Sequence, residues 1–300
     1  MVNLLKALLP VFHGMIRILA GLRRQTVEIE DGTVMSFWIP RKLEKKKPAV
    51  VLLHGFTANG ILTWMCQVVS LARAKYAVYV PDLLFFGGSV TSSTDRTPAF
   101  QARCLIKALT ELGVDRCSVV GFSYGGTVAF KMAELQPTLV VSLVITGAVP
   151  AVTSSMAATI SRSLGFHSFS DLLLPTTREG LRNLFAIAVS PDTKLMLPNC
   201  FYTGYLKSLF NYREERSQLL ARLVVSDEDT VIPNFPQKIL LLWGEDDKFF
   251  PLDLAKIIME QLGGGGNTTL LSVKRGGHLV CFERPFVYNR LLKEHLASCS

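Results

Sequence analysis

The stretch Cys117–Gly126, CSVVGFSYGG, restricts the folds open to this chain more than any other. A short apolar run, Ser118–Val120, enters Gly121-Phe122-Ser123-Tyr124-Gly125-Gly126, and a helix-like segment, Thr127–Leu135, follows. Strand, sharp turn and helix in immediate succession hold the corner residue, Ser123, in a strained conformation that lifts its hydroxyl clear of the chain. Gly121 and Gly125 stand two residues either side, where a Cβ would crowd the turn. The helix N-terminus then offers free N–H groups where negative charge would develop. A glycine-rich turn with an incidental serine gives the same ten letters, so the setting and downstream partners must decide.

The setting is an alternation of short apolar runs and helical stretches. Val27–Pro40 reads as a hairpin turning at Asp31-Gly32. The basic run Arg41–Lys47 reads as a solvated loop. Ala49–Leu53 and Tyr76–Val80 read as buried parallel-type strands, with a helix over Ile61–Ala74 between them and another over Ala99–Leu112 after them. Val140–Thr146, Ile239–Trp243 and Thr268–Val273 are further strands; helices are expected near Leu252–Leu262 and Pro285–Leu296, and a turn at Gly263–Gly266. This order predicts an α/β fold, a mostly parallel central sheet with helices on both faces. From about Val149 to Pro233 strand signals disappear, and helical stretches such as Leu181–Val189 and Glu214–Leu223 are interrupted by Pro175, Pro191 and Pro198. The expected organisation is therefore a core of residues 25–149 and 233–300, with residues 150–232 inserted as a helical cap.

The formal charge of +8 would suggest nucleic acid if it were spread over one face. It is not: residues 1–47 hold nine basic against four acidic residues, leaving only +3 for the rest. No basic residues interleave with aromatics in a stripe, so no nucleic-acid partner is expected. Six cysteines without a C-x-x-C pair read as buried free thiols, which favours a reducing, cytoplasmic setting. No His/Cys/Glu cluster has metal-ligand spacing and nothing resembles a cofactor site, so neither metal nor cofactor is expected.

Residues 1–24 are apolar but broken by Lys6, Pro10, His13, Arg17, Arg23 and Arg24, too often for a membrane span. They lack the ordered regions of a signal peptide, while the absence of acid before Glu28 leaves organelle import open. Two readings stand level: an amphipathic helix resting on a membrane surface, or one packed on its own domain.

Five motifs recur at ordinary spacing: HGF at 54–56, PDLLFFGGS at 81–89, GFSYGG at 121–126, WGEDDKFFP at 243–251 and GGHLVCFERP at 276–285. From about Val27 to the C-terminus the chain resembles the α/β-hydrolase superfamily, whose members use the order Ser…Asp…His. The resemblance implies Ser123 as nucleophile, His278 as base and Asp247 as the acid that orients it. It implies an oxyanion hole from the backbone N–H groups of Phe56 and Tyr124. Glu245, Asp246 and Asp247 are adjacent and composition cannot choose among them; the family pattern G-x-x-D-x-x-x-P selects Asp247. His54 and Asp82 match loop positions and read as structural. Epoxide hydrolases and dehalogenases carry aspartate where this chain has Ser123. Ring-cleavage C–C hydrolases usually carry Gly-Pro-Gly where this chain has Phe56-Thr57-Ala58, and Trp where it has Leu279.

The overall look is similar to esterase or lipase-like serine hydrolases of plant type. It implies a small hydrophobic ester as substrate, with Phe185 and Phe201 of the cap as candidate pocket residues. Two alternatives are a triad-retaining ligand receptor of the same fold and a C–C bond hydrolase.

Overall fold

The computed structural model describes residues 4–42, 47–228, 230–263 and 266–299. Parts of the Arg41–Lys47 loop and of the Gly263–Gly266 turn lie outside the described residues. Helix α1 (Leu4–Leu19) ends before Gly21, where φ is +63°, and the chain enters β1 (Leu22–Glu30). This corrects the expected boundary after residue 24: Leu22, Arg23 and Arg24 pair with Pro40, Ile39 and Trp38 of β2 (Thr33–Pro40). A left-handed residue stops a helix, and the buried Leu22 between exposed neighbours already follows the strand period. Helix α1 buries Ile16 against the sheet side and leaves Val11, Met15 and Ile18 exposed.

The chain continues through β3 (Ala49–Leu53), α2 (Gly60–Thr63), α3 (Met65–Arg73), β4 (Ala77–Pro81), the short β5 (Val90–Thr91), α4 (Pro98–Glu111), β6 (Cys117–Phe122), α5 (Tyr124–Leu135) and β7 (Val140–Thr146). The single helix expected over 61–74 is thus two, parted at the fully buried Trp64. Helix α4 starts where its sequence says it should: the Thr97 hydroxyl accepts from Phe100 N, and Pro98 takes the first turn.

Between β7 and the next sheet strand the chain forms β8 (Val152–Thr153), α6 (Ser154–Ser163), α7 (Phe169–Leu173), α8 (Arg178–Ala188), α9 (Asn199–Leu209), α10 (Arg213–Leu223) and β9 (Val224–Val225). Strands β8 and β9 pair in parallel and close the insertion at its base, a feature two residues long and so invisible to periodicity. The chain ends with β10 (Lys238–Gly244), α11 (Leu252–Gln261), β11 (Thr268–Val273), α12 (Val280–Glu283) and α13 (Pro285–Ser298).

The main sheet runs β1-β2-β4-β3-β6-β7-β10-β11, with β5 paired to β2. Pairings of β2 with β1, β4 and β5 are antiparallel; those from β4 to β11 are parallel. The parallel strands β3, β4, β6, β7 and β10 are buried on both faces, as in sheets covered by crossover helices, while the edge strand β11 is buried only at its two ends. Val51, Leu53, Val119, Ile145 and Leu241 enter one apolar cluster, with α4, α5 and the inserted helices. Val50, Leu52, Val120, Val144 and Leu242 alternate into the other, with α3 and α13. The C-terminal ends of β3, β4, β6, β10 and β11 therefore open on one edge, and the loops that follow them carry the five motifs.

Three of the six cysteines, Cys104, Cys117 and Cys281, are buried; Cys66 and Cys299 are half-buried and Cys200 is exposed, so the expectation of buried thiols holds for half of them. All six are free. Among the described residues, no helix is long and apolar enough to cross a membrane, and no three His, Cys, Asp or Glu side chains are grouped to hold a metal.

Candidate active site

Ser123 sits between β6 and α5 with φ 52° and ψ −125°, the strained corner that the strand–turn–helix pattern demands. Its N–H donates to Thr146 O at 2.9 Å, and its carbonyl accepts from Gly126 N at 2.7 Å. The turn is tight enough that a Cβ on Gly125 would lie 2.5 Å from the carbonyl oxygen of His54. Only glycine lets the elbow close on the β3 loop.

His278 and Asp247 come from the loops after β11 and β10. Asp247 Oδ2 lies 2.8 Å from His278 Nδ1, and both residues are buried. Asp247 Oδ1 accepts from the N–H groups of Phe249 at 2.9 Å and Phe250 at 3.0 Å. A carboxylate that accepts Nδ1–H fixes the tautomer in which Nε2 keeps its lone pair. The ring is clamped by Phe249, stacked at 4.7 Å, and by Phe122 at 4.8 Å. Of the three adjacent acids only Asp247 reaches the histidine: Glu245 accepts from the Ser272 hydroxyl and Asp246 from the Ser190 hydroxyl.

One residue of this arrangement had no place in the motifs. Gly147, just past β7, has φ +55°, and a Cβ there would lie 2.6 Å from His278 Cε1 and 3.1 Å from Asp247 Oδ2. The Asp–His pair fits only because this position is bare. Its signal, the glycine in Thr146-Gly147-Ala148, is too common to mark a site by itself.

Ser123 and His278 line the same small cavity of 30 Å³, together with Phe56 and Phe122. No hydrogen bond joins the Ser123 hydroxyl to His278 among the described residues, which is ordinary for catalytic pairs that tighten around substrate. Neither Phe56 N–H nor Tyr124 N–H has a backbone acceptor among the described residues. Their rings pack edge to face at 5.7 Å, anchored in the core. The two N–H groups offered as an oxyanion hole thus belong to well-fixed residues.

His54 and Asp82 support this loop from behind. Leu83 N–H donates to His54 Nε2 at 2.9 Å, so Nδ1 carries the proton and donates to Gly55 O at 2.7 Å. Burial pushes His54 down to about 4, which keeps it neutral. Asp82 accepts from Gly60 N at 3.0 Å and Gly88 N at 3.2 Å, and burial raises it to about 6. Both residues hold backbone in place, as their loop contexts suggest.

A second cavity of 380 Å³ adjoins the first and shares Thr57, Phe122, Phe185 and Leu279 with it. Leu195, Leu197, Phe201 and Tyr205 of the inserted segment extend its wall. Both aromatic candidates singled out in the insertion, Phe185 and Phe201, therefore line it. Among the described residues no Lys, Arg, Asp or Glu lines either cavity.

A family model described as the alpha/beta hydrolase fold matches residues 48–190. The chain is 27% identical over 84% of its length to an uncharacterized hydrolase, YugF, of Bacillus subtilis, and covers 89% of that protein. It is 26% identical over 83% of its length to a 2-hydroxy-6-oxononadienedioate/2-hydroxy-6-oxononatrienedioate hydrolase of a Pseudomonas species, covering 87% of it. Among solved structures, a bacterial membrane phospholipase A superposes with a TM-score of 0.78 at 20% identity, over 98% of this chain and 92% of that one, a likeness of fold alone. Sheet order, elbow and the matched stretch together give the chain the α/β-hydrolase fold.

Proposed function

We propose that the protein is a serine hydrolase that cleaves a carboxylic ester of a hydrophobic acyl group through an acyl-enzyme on Ser123. Ser123 Oγ attacks the ester carbonyl as His278 Nε2 takes its proton, and Asp247 stabilises the resulting imidazolium. The carbonyl oxygen becomes negative within reach of the Phe56 and Tyr124 N–H groups; one such donor is worth about 3–4 kcal/mol in comparable sites. His278 returns the proton to the departing alkoxide. It then deprotonates water, which releases the acid and restores Ser123.

The observation that carries the ester reading is the 380 Å³ apolar cavity against the Ser123 cavity, with no Lys, Arg, Asp or Glu among the described residues on its wall. That volume lies within the range of ordinary ligand pockets. Lining of this kind solvates an acyl chain but leaves a carboxylate uncompensated. The second reading, C–C bond hydrolysis, is favoured by the Pseudomonas relative, whose named substrates are dioates. Such a substrate would place two carboxylates in or near cavities that offer them no cation. The likeness to plant-type esterases has no counterpart in the relatives described above, which are bacterial.

A panel of nitrophenyl esters of graded acyl length, run beside a 2-hydroxy-6-oxo-dienedioate, separates the two readings. Ester turnover should rise with acyl length, with little or no cleavage of the dioate. The reverse order would replace ester hydrolysis with C–C cleavage.

A further inference from the structure

The loop that carries the Phe56 N–H is held from an unexpected side. Among the described residues, one side-chain hydrogen bond reaches residues 56–58: the Tyr205 hydroxyl donates to Thr57 O at 3.2 Å. Tyr205 belongs to α9, in the inserted segment, 148 residues away in sequence. Its ring is buried and fixed by Phe185, edge on at 5.2 Å, by Phe201 at 5.6 Å and by Phe210 at 6.1 Å. It also lines the apolar cavity, beside Phe185 and Phe201. Burial raises the phenol well above its ordinary range, so it stays a donor at any working pH.

We propose that Tyr205 is a positioning residue: its ring forms part of the acyl-chain wall while its hydroxyl holds the oxyanion loop in place. The residue that meets the acyl chain is then the one that tethers Thr57, next to the Phe56 N–H. An acyl group seated against the Tyr205 ring restricts that ring further and, through one hydrogen bond, the loop that stabilises charge on the same acyl carbonyl. This makes the inserted segment part of the charge-stabilising apparatus as well as the pocket wall. The inference rests on the ester reading above for its kinetic consequence, but the tether itself does not.

Tyr205→Phe keeps the ring and deletes the hydrogen bond, so it separates wall from tether. Steady-state kinetics on a short and a long nitrophenyl ester should show kcat lower by roughly fivefold to tenfold for both, the worth of one ordinary hydrogen bond, with KM unchanged. Hydrogen–deuterium exchange of the peptide spanning residues 54–59 should be faster than in the wild type. A variant whose KM rises only for the long ester, with kcat intact, would reduce Tyr205 to a wall and overturn the proposal. Unchanged exchange in that peptide would overturn it as well. Should the wild type turn over no ester, the ester reading fails separately and the exchange comparison alone decides the tether.

Discussion

The sheet-end loops and the inserted helices meet at the same cavities but hold their side chains by different means. On the sheet side the grip is directional. Asp247 has three acceptor contacts, His54 bonds at both ring nitrogens, and Asp82 bridges Gly60 and Gly88. On the inserted side the grip is mainly apolar: Phe185, Phe201 and Tyr205 rest on one another, with one hydrogen bond crossing to the loop. Directional contacts fix atoms to a fraction of an ångström, as proton transfer requires; apolar packing fixes volume and shape. The sheet loops should therefore decide whether the reaction runs, and the inserted helices which substrate it runs on.

The sharpest way to break that division is at the acid. Asp247→Asn should leave the fold intact but favour the wrong His278 tautomer; the comparable change in another, well-studied triad lowers turnover about 10⁴-fold. Asp246→Asn keeps an acceptor for the Ser190 hydroxyl and should cost only a few-fold. Turnover of both single variants decides it, and a larger loss at Asp246 would mean that the acid is misplaced.

Gly147→Ala probes the same side without replacing a polar side chain. The added methyl must displace the imidazole or the backbone, and misplacement of about 1 Å can cost roughly 10²-fold. The expected result is a drop of that order in kcat with KM little changed. Activity near that of the wild type would mean that the Asp–His pair tolerates more movement than its contacts suggest.

The inserted side should respond differently. Phe201→Ala, at a half-buried position, should change the ratio of long-chain to short-chain kcat/KM by about tenfold. Phe185→Ala should do the same with a larger loss of stability, because Phe185 is buried. Unchanged acyl preference in both would show that the insertion does not select the substrate.

The smallest effect concerns pH. His54 is depressed to about 4, so it contributes stability that is full above its ordinary 6.5 and is lost as pH falls toward 4. Asp82 is raised to about 6, so its contribution runs the other way: full below 3.8 and lost as pH rises through 6. Over about pH 4–6 the two oppose each other. Asp82→Asn removes one, and its stability should fall more steeply on acidification than the wild type's, by up to about 1.4 kcal/mol per pH unit. Urea titrations from pH 4.5 to 6.5 measure the difference; parallel slopes would contradict it.

The order in which these features become visible follows their range along the chain. Ser123, the strands around it and the acid-bearing loop were legible because each is set by residues within about ten positions. The end of α1 was misplaced because Leu22-Arg23-Arg24 continues the apolar–basic composition of the helix, although Gly21 marks the stop. The parallel pair Val152–Thr153 and Val224–Val225 is too short to show a period. Gly147 and Tyr205 act through contacts with residues about 100 to 150 positions away, and a single sequence carries no sign of such pairings. Phe185 and Phe201 were legible as apolar bulk, but which cavity they line is a tertiary fact.

The central claim is an acyl group on Ser123. Rapid acid quench of the protein with nitrophenyl octanoate, followed by mass spectrometry of the peptide containing residue 123, tests it directly. An octanoyl increment should appear on Ser123, decay at the turnover rate and be absent, with the turnover, from Ser123→Ala. An unmodified Ser123 peptide during active turnover, or full ester hydrolysis by Ser123→Ala, would contradict it.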